Sequence, residues 1–290
     1  MLGSMSARGG IGLVLGGGGA RGLAHVGVLE ALEAQGVRPD VLVGVSMGAV
    51  VGATYALRED WSRVLREEDW RRLPVVSETR DGDALERLSS YARSARRLAP
   101  TVTHWSWRRG FVDDARATLQ DLIGEGPNFA DCRVPFAAVA TDLRAGTRRV
   151  LTEGSLLDAV LASASIPGLA APTEWDGAAL ADGGFADPAP VDVARALGAD
   201  RVLGVHVGLP SHEGQVEGGV GALLAAFEIG QRSFANTRFR HADLVLRPGF
   251  GQRIRMLEFA AVQAVIDAGA RAVEDRRAEI AELVARGVRG

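Results

Sequence analysis

The stretch IGLVLGGGGARGLAHVGVLEALEAQGVRPDVLVGVSMGAVVGATYAL, residues 11–57, holds two short β-rich runs. Each ends in small residues and is followed by apolar residues at helical spacing. Ile11 to Leu15 reads as a strand, Leu23 to Gln35 as a helix closed by Gly36, Val41 to Val45 as a second strand and Met47 to Leu57 as a second helix. Such a β-α-β-α unit belongs to an α/β fold. A crossover helix between neighbouring strands makes them parallel and puts ligands at their carboxyl ends, where both glycine-rich turns fall.

Downstream, residues 58–116 turn to Arg, Glu, Asp and Trp and read as a helical and loop insert, a candidate lid. Strand-like runs resume at 136–141 and 148–151, with a helix over 156–164. A short strand at 178–181, a helix at 191–197 and a strand at 202–207 come next. A long helix near 223–240, a strand at 244–246 and a C-terminal helix over 256–286 complete the chain. With no internal repeat and no linker, residues 11–290 read as a single domain, and residues 1–10 as a disordered leader or expression scar.

The 290 residues are 47% hydrophobic and 24% charged, enough for a large core. The 33 basic residues, every one Arg, stand against 36 acidic ones for a net charge of −3. That balance argues against nucleic acid as a partner. The absence of Lys excludes Schiff-base chemistry, a P-loop lysine and a Ser-Lys pair. One cysteine, Cys132, and no zinc-type spacing give no sign of disulfides, metal or cofactor. No signal sequence or run of about 20 apolar residues is seen, so the expected location is cytoplasmic, with peripheral membrane contact left open.

Gly44-Val45-Ser46-Met47-Gly48 lies where a strand gives way to a helix, the setting of a G-x-S-x-G nucleophile elbow. The glycines permit the sharp turn, and the helix N-terminus favours developing negative charge. Gly16 to Gly22 (GGGGARG) ends the neighbouring strand, so successive amides can converge on an anion. Gly17, Gly19 and Gly22 also fit G-x-G-x-x-G, but the acid a dinucleotide site needs after the second strand is replaced by GVSMG, and Asp40 lies before that strand. An oxyanion hole is the better reading. Of His25, His104, His206, His212 and His241, none has the context of a catalytic base, and His25 reads as a packed residue. Asp182, before Gly183 and Gly184, is expected to carry an exposed carboxylate on a bend at the same sheet edge.

Together GGGARG at 17–22, GVSMG at 44–48 and DGG at 182–184 resemble the patatin-like phospholipase family, with AHVGVLEAL after the loop, ATDL at 140–143 and SASIPG at 163–168 extending the similarity over residues 11–210. The resemblance implies a three-layer α/β/α fold with a mainly parallel central sheet. It also implies a Ser-Asp dyad: Ser46 as nucleophile, Asp182 as base, the amides of Gly17, Gly18 and Gly19 as oxyanion donors, and Met47 assisting by its amide. Arg21, Gly22, Gly44, Gly48, Gly183 and Gly184 support the motifs, with Arg21 open between holding a substrate phosphate and bracing the loop by an ion pair. Asp182 should be partly desolvated, hydrogen-bonded to Ser46 and raised in pKa.

The expected function is a serine esterase acting on phospholipid or lysophospholipid esters through an acyl-enzyme. An acyltransferase using the same dyad, or a non-catalytic lipid- or nucleotide-binding regulatory protein, is the alternative. Residues 85–109, with six Arg between Arg87 and Arg109 and an apolar face, read either as a membrane-contacting helix or, preferably, as a solvated helix on its own core. Head group, chain length and oligomeric state are not encoded in any motif.

Overall fold

The computed structural model describes residues 10–73, 109–208, 218–251 and 254–286. An eight-stranded sheet forms the centre, built from β1 (Gly10–Leu15), β2 (Val41–Val45), β3 (Phe136–Asp142), β4 (Thr147–Leu151), β5 (Thr173–Trp175), β6 (Ala178–Asp182), β7 (Ala199–Val205) and β8 (Leu244–Leu246). Its order is β5-β6-β3-β2-β1-β7-β8, with β4 also paired to β3. From β3 to β8 the neighbours in this order run parallel, whereas β4 and β6 pair antiparallel with β3, and β5 antiparallel with β6.

Alternation along a strand separates the two cores. Leu13 and Leu15 face one hydrophobic cluster and Val14 the other. The first cluster is covered by α1 (Ala24–Ala34), α2 (Met47–Leu57), α5 (Leu156–Ser163) and α8 (Val262–Glu274). The second is smaller and is covered by α6 (Val191–Ala196) and the C-terminal half of α7 (Gly218–Arg238). The expected three-layer α/β/α arrangement is therefore present, with β5 as a short edge strand that carries no strong sequence signal.

Around the 58–116 segment, α3 (Trp61–Glu67) and the helical turn Trp70–Arg72 pack inward, and Trp61, Leu65 and Trp70 belong to the main core. α4 (Arg109–Ile123) runs beyond the segment and buries Leu119 and Leu122 there too. Residues 74–108, with nearly all of the Arg-rich 85–109 stretch, lie outside the described residues.

The one helix expected over 256–286 is replaced by a turn at Met256–Leu257, α8, and α9 (Arg277–Arg286) after a turn at 275–276. Asp275 still donates to Arg271 O and Ile280 to Arg276 O, so helical spacing of apolar residues continues through the break and conceals it. α8 crosses α1 at very close range: a Cβ on Gly27 would lie 1.9 Å from Ile266 O, and one on Gly269 1.9 Å from Ala24 O. No helix among the described residues is long and apolar enough to cross a membrane.

Candidate active site

Sheet register brings the two key residues together. Val45, the last residue of β2, pairs with Val139, and the next residue of β3, Ala140, pairs with Asp182 at the end of β6. Ser46 and Asp182 thus flank β3 at one edge of the sheet.

Ser46 has φ 55° and ψ −126°, a backbone conformation that costs on the order of 1–3 kcal/mol in a residue with a Cβ and is held only by its surroundings. Those surroundings are specific. The Ser46 amide donates to Ser163 Oγ at 3.0 Å, and that hydroxyl donates to Val139 O at 2.6 Å. The Ser46 carbonyl accepts from Ala49 and Val50 in the first turn of α2, while its own hydroxyl caps nothing and is left for chemistry. Gly48 allows α2 to approach β1, since a Cβ there would fall 2.2 Å from Leu15 O. Gly44 and Gly22 give similar clearance, to Gly48 O at 2.5 Å and to Met47 Cβ at 2.5 Å.

Asp182 is fully buried, which corrects the expectation of an exposed carboxylate. The helical turn Gly183–Phe185 folds over it, and Gly183 packs so tightly that a Cβ would lie 2.0 Å from Val139 O. Asp182 N donates to Ser165 O at 2.8 Å and Thr141 Oγ1 donates to Asp182 O at 2.8 Å, fixing the backbone. The carboxylate Oδ1 accepts from Gly184 N at 2.8 Å. Burial pushes the acid up to about 6, against the opposing pull of the Ser46 hydroxyl and the Gly184 amide. Oδ2 is buried without a hydrogen-bond partner, so the Ser46 hydroxyl stands near the carboxylate without completing a bond to that oxygen. Loose contacts of this kind tighten when substrate fills a site.

The glycine loop passes beside Ser46, and a Cβ on Gly17 would lie 3.2 Å from Ser46 Cβ. Gly16 N is engaged by Val205 O at 3.1 Å and Ala20 N by Met256 O at 2.7 Å, but the amides of Gly17 and Gly18 meet no acceptor among the described residues. Gly19 turns the chain with φ +54° into the helical turn Gly19–Leu23, where a Cβ would strike Met256 O at 2.1 Å. Met47 opens α2, so its amide points out of the helix N-terminus next to Ser46.

Arg21 is buried and is committed within the protein, its guanidinium donating to Glu228 at 2.8 Å and to Ile254 O at 2.9 Å. It braces the loop against α7 and the C-terminal segment. His25 braces it from below: its neutral ring donates from Nε2 to Gly16 O at 2.8 Å, and burial lowers its pKa to about 4. His206 accepts from Gly208 N at Nδ1 and is likewise lowered to about 4, mainly by burial and then by Arg247. His241 lies in a helical turn after α7, and His104 and His212 fall outside the described residues. Asp40 takes the Ile11 amide at 2.7 Å at the opposite end of β1, away from the glycine turns.

Five contributors have no role that the sequence alone assigns. Ser163 and Ser165, in the SASIPG stretch, and Thr141, in ATDL, act as braces for Ser46 and Asp182. Glu228 and Gln231 on α7 reach the glycine loop. Their three-residue separation marks one helix face, but nothing in the sequence says what that face meets.

Comparison with known proteins gives one consistent family. The model for patatin-like phospholipase matches residues 13–195. Patatin-like phospholipase domain-containing protein 7 of Rattus norvegicus is 34% identical over 201 residues, 68% of this chain and 14% of that protein. Lysophospholipase NTE1 of Saccharomyces cerevisiae is 32% identical over 198 residues, 68% of this chain and 11% of that protein. The chain therefore spans only a small part of these relatives. VipD from Legionella pneumophila shares the fold, with a TM-score of 0.51 and 14% identity over 93% of this chain and 68% of that one.

Proposed function

The chain belongs to the patatin-like phospholipase family, and from that premise we propose that it is a serine acyl hydrolase cleaving carboxylic esters of phospholipids or lysophospholipids on a Ser46–Asp182 dyad. The observation that carries this reading is a strained Ser46 at a strand-to-helix turn beside a buried Asp182 whose pKa is raised to about 6. An acid with that pKa is ionised at neutral pH yet basic enough to accept a hydroxyl proton. Asp182 takes the Ser46 proton as Oγ attacks the ester carbonyl. The amides of Gly17, Gly18 and Gly19, helped by that of Met47, hold the oxyanion. Collapse expels the alcohol with the proton from Asp182 and leaves an acyl-enzyme, which water hydrolyses.

An alkoxide needs less help to leave than an amine, which favours esters over peptides. Phe185, next to Gly184, is 45% exposed and stacks on Phe227 at 4.0 Å, giving the site an apolar approach suited to an acyl chain.

The test is hydrolysis of a short- and a long-chain p-nitrophenyl ester by wild type, Ser46→Ala and Asp182→Asn, with mass spectrometry after fluorophosphonate labelling. Loss of turnover in both variants and a label on Ser46 are expected. A wild type that neither turns over nor labels would overturn the reading and leave a binding or regulatory role on a retained scaffold.

A further inference from the structure

α7 lies beyond the matched stretch 13–195, yet it sends a side chain between the two halves of the site. Gln231 Nε2 lies 1.7 Å from where a Cβ on Gly184 would stand, and that point is 3.0 Å from Asp182 Oδ1. The same nitrogen is 3.4 Å from where a Cβ on Gly17 would stand, a point 3.2 Å from Ser46 Cβ. The carboxamide therefore occupies the space that two glycines leave open, one beside Asp182 and one beside Ser46. On the same face of α7, Glu228 holds Arg21 at 2.8 Å, which fixes this part of the helix against the loop.

Resting on the proposed Ser46–Asp182 chemistry, we infer that Gln231 orients the acceptor water in deacylation. Asp182 can take a proton from a water molecule, but one carboxylate contact leaves that molecule free to rotate. A carboxamide beside it offers two donors and an acceptor and stays uncharged at every working pH. With the water held by both groups, a proton passes from water to Asp182 and the oxygen bonds to the acyl carbon. The carbon–Oγ bond then breaks, and the proton returns from Asp182 to Ser46 Oγ as the carboxylic acid leaves. Acylation does not need this water, so Gln231 acts on one half of the reaction only.

The experiment compares the full chain with Gln231→Leu and Gln231→Ala on a p-nitrophenyl ester. It reads kcat, kcat/KM, the rate of fluorophosphonate labelling and, by intact mass, the fraction of Ser46 held as acyl-enzyme during turnover. Both variants are expected to keep kcat/KM and the labelling rate within about twofold, to lose about tenfold to a hundredfold in kcat, and to accumulate acyl-Ser46. Leu nearly preserves the volume and Ala does not, so an effect confined to Ala is packing and overturns the inference. So does a parallel fall of kcat/KM and labelling, which would make Gln231 part of acylation, and so does an unchanged kcat. If wild type itself neither hydrolyses nor labels at Ser46, it is the underlying dyad that has failed, and the inference falls with it.

Discussion

Ser46 owes its strained backbone to a hydroxyl far away in sequence. Ser163 Oγ, 117 residues on, accepts a hydrogen bond from the Ser46 amide and donates one to Val139 O. Ser163→Ala leaves a buried donor and a buried acceptor unmatched, which should cost about 1–3 kcal/mol in urea denaturation and lower kcat as the elbow relaxes. Unchanged stability and turnover would show that α5 does not hold the nucleophile. Ser46 and Asp182 can be picked out of the sequence because glycines beside them announce turns at strand ends. Ser163 cannot: a serine at a helix end has many ordinary reasons to be there, and its partner is chosen by the packing of α5 on β3. The Asp182 environment escaped for a related reason. Asp-Gly-Gly reads as an exposed bend, and only the fold buries it. A pKa near about 6 makes the carboxylate available above that pH and progressively protonated below it. The wild-type kcat/KM profile should therefore fall as pH drops through about 6, and a profile flat across that range would remove Asp182 as the base.

Helices were visible in the sequence wherever apolar periodicity met a clear stop, as at Gly36, and obscure where it did not. The expected single helix over 256–286 is two because the turn at 275–276 preserves both helical hydrogen bonding and apolar spacing. The interface it makes is nonetheless demanding. A Cβ on Gly269 would meet Ala24 O at 1.9 Å, so Gly269→Ala must drive α8 off α1 and should destabilise by roughly 1–3 kcal/mol on thermal or chemical unfolding. α7 is secured differently. Arg238 near its end binds the buried Asp187 at 2.7 Å and also Asp192, and Arg148 joins the same two acids at 2.6 and 2.9 Å. Asp187→Ala leaves two arginines competing for one exposed acid and should loosen the helix that carries Glu228 and Gln231. The check is kcat alongside unfolding: a fall in both is expected, whereas lost stability with full kcat would separate the anchor from the site.

Across the whole molecule, the sheet register that aligns Val45, Val139, Ala140 and Asp182 forces an ionisable group into the core at the carboxyl edge of the strands. Placement of that kind opposes folding. The folded chain holds the Asp182 proton more tightly than the unfolded one, with a pKa of about 6 against the usual 3.8. Below about pH 4 the group is neutral in both states and costs nothing. Between about 4 and 6 the unfolded chain ionises first, so stability falls as pH rises; above about 6 the full penalty is present and the slope vanishes. At roughly 1.4 kcal/mol per pKa unit, the penalty at pH 8 is on the order of 3 kcal/mol. Asp182→Asn keeps an oxygen for the Gly184 amide and removes the charge, so the inactive variant should be more stable than wild type at pH 8, by up to about that amount. The difference should shrink toward zero at pH 4. Urea titrations of both proteins at the two pH values measure it directly. Equal stability at pH 8 would mean that the carboxylate is solvated or paired by something the described residues lack, and would remove the physical basis for treating Asp182 as a base.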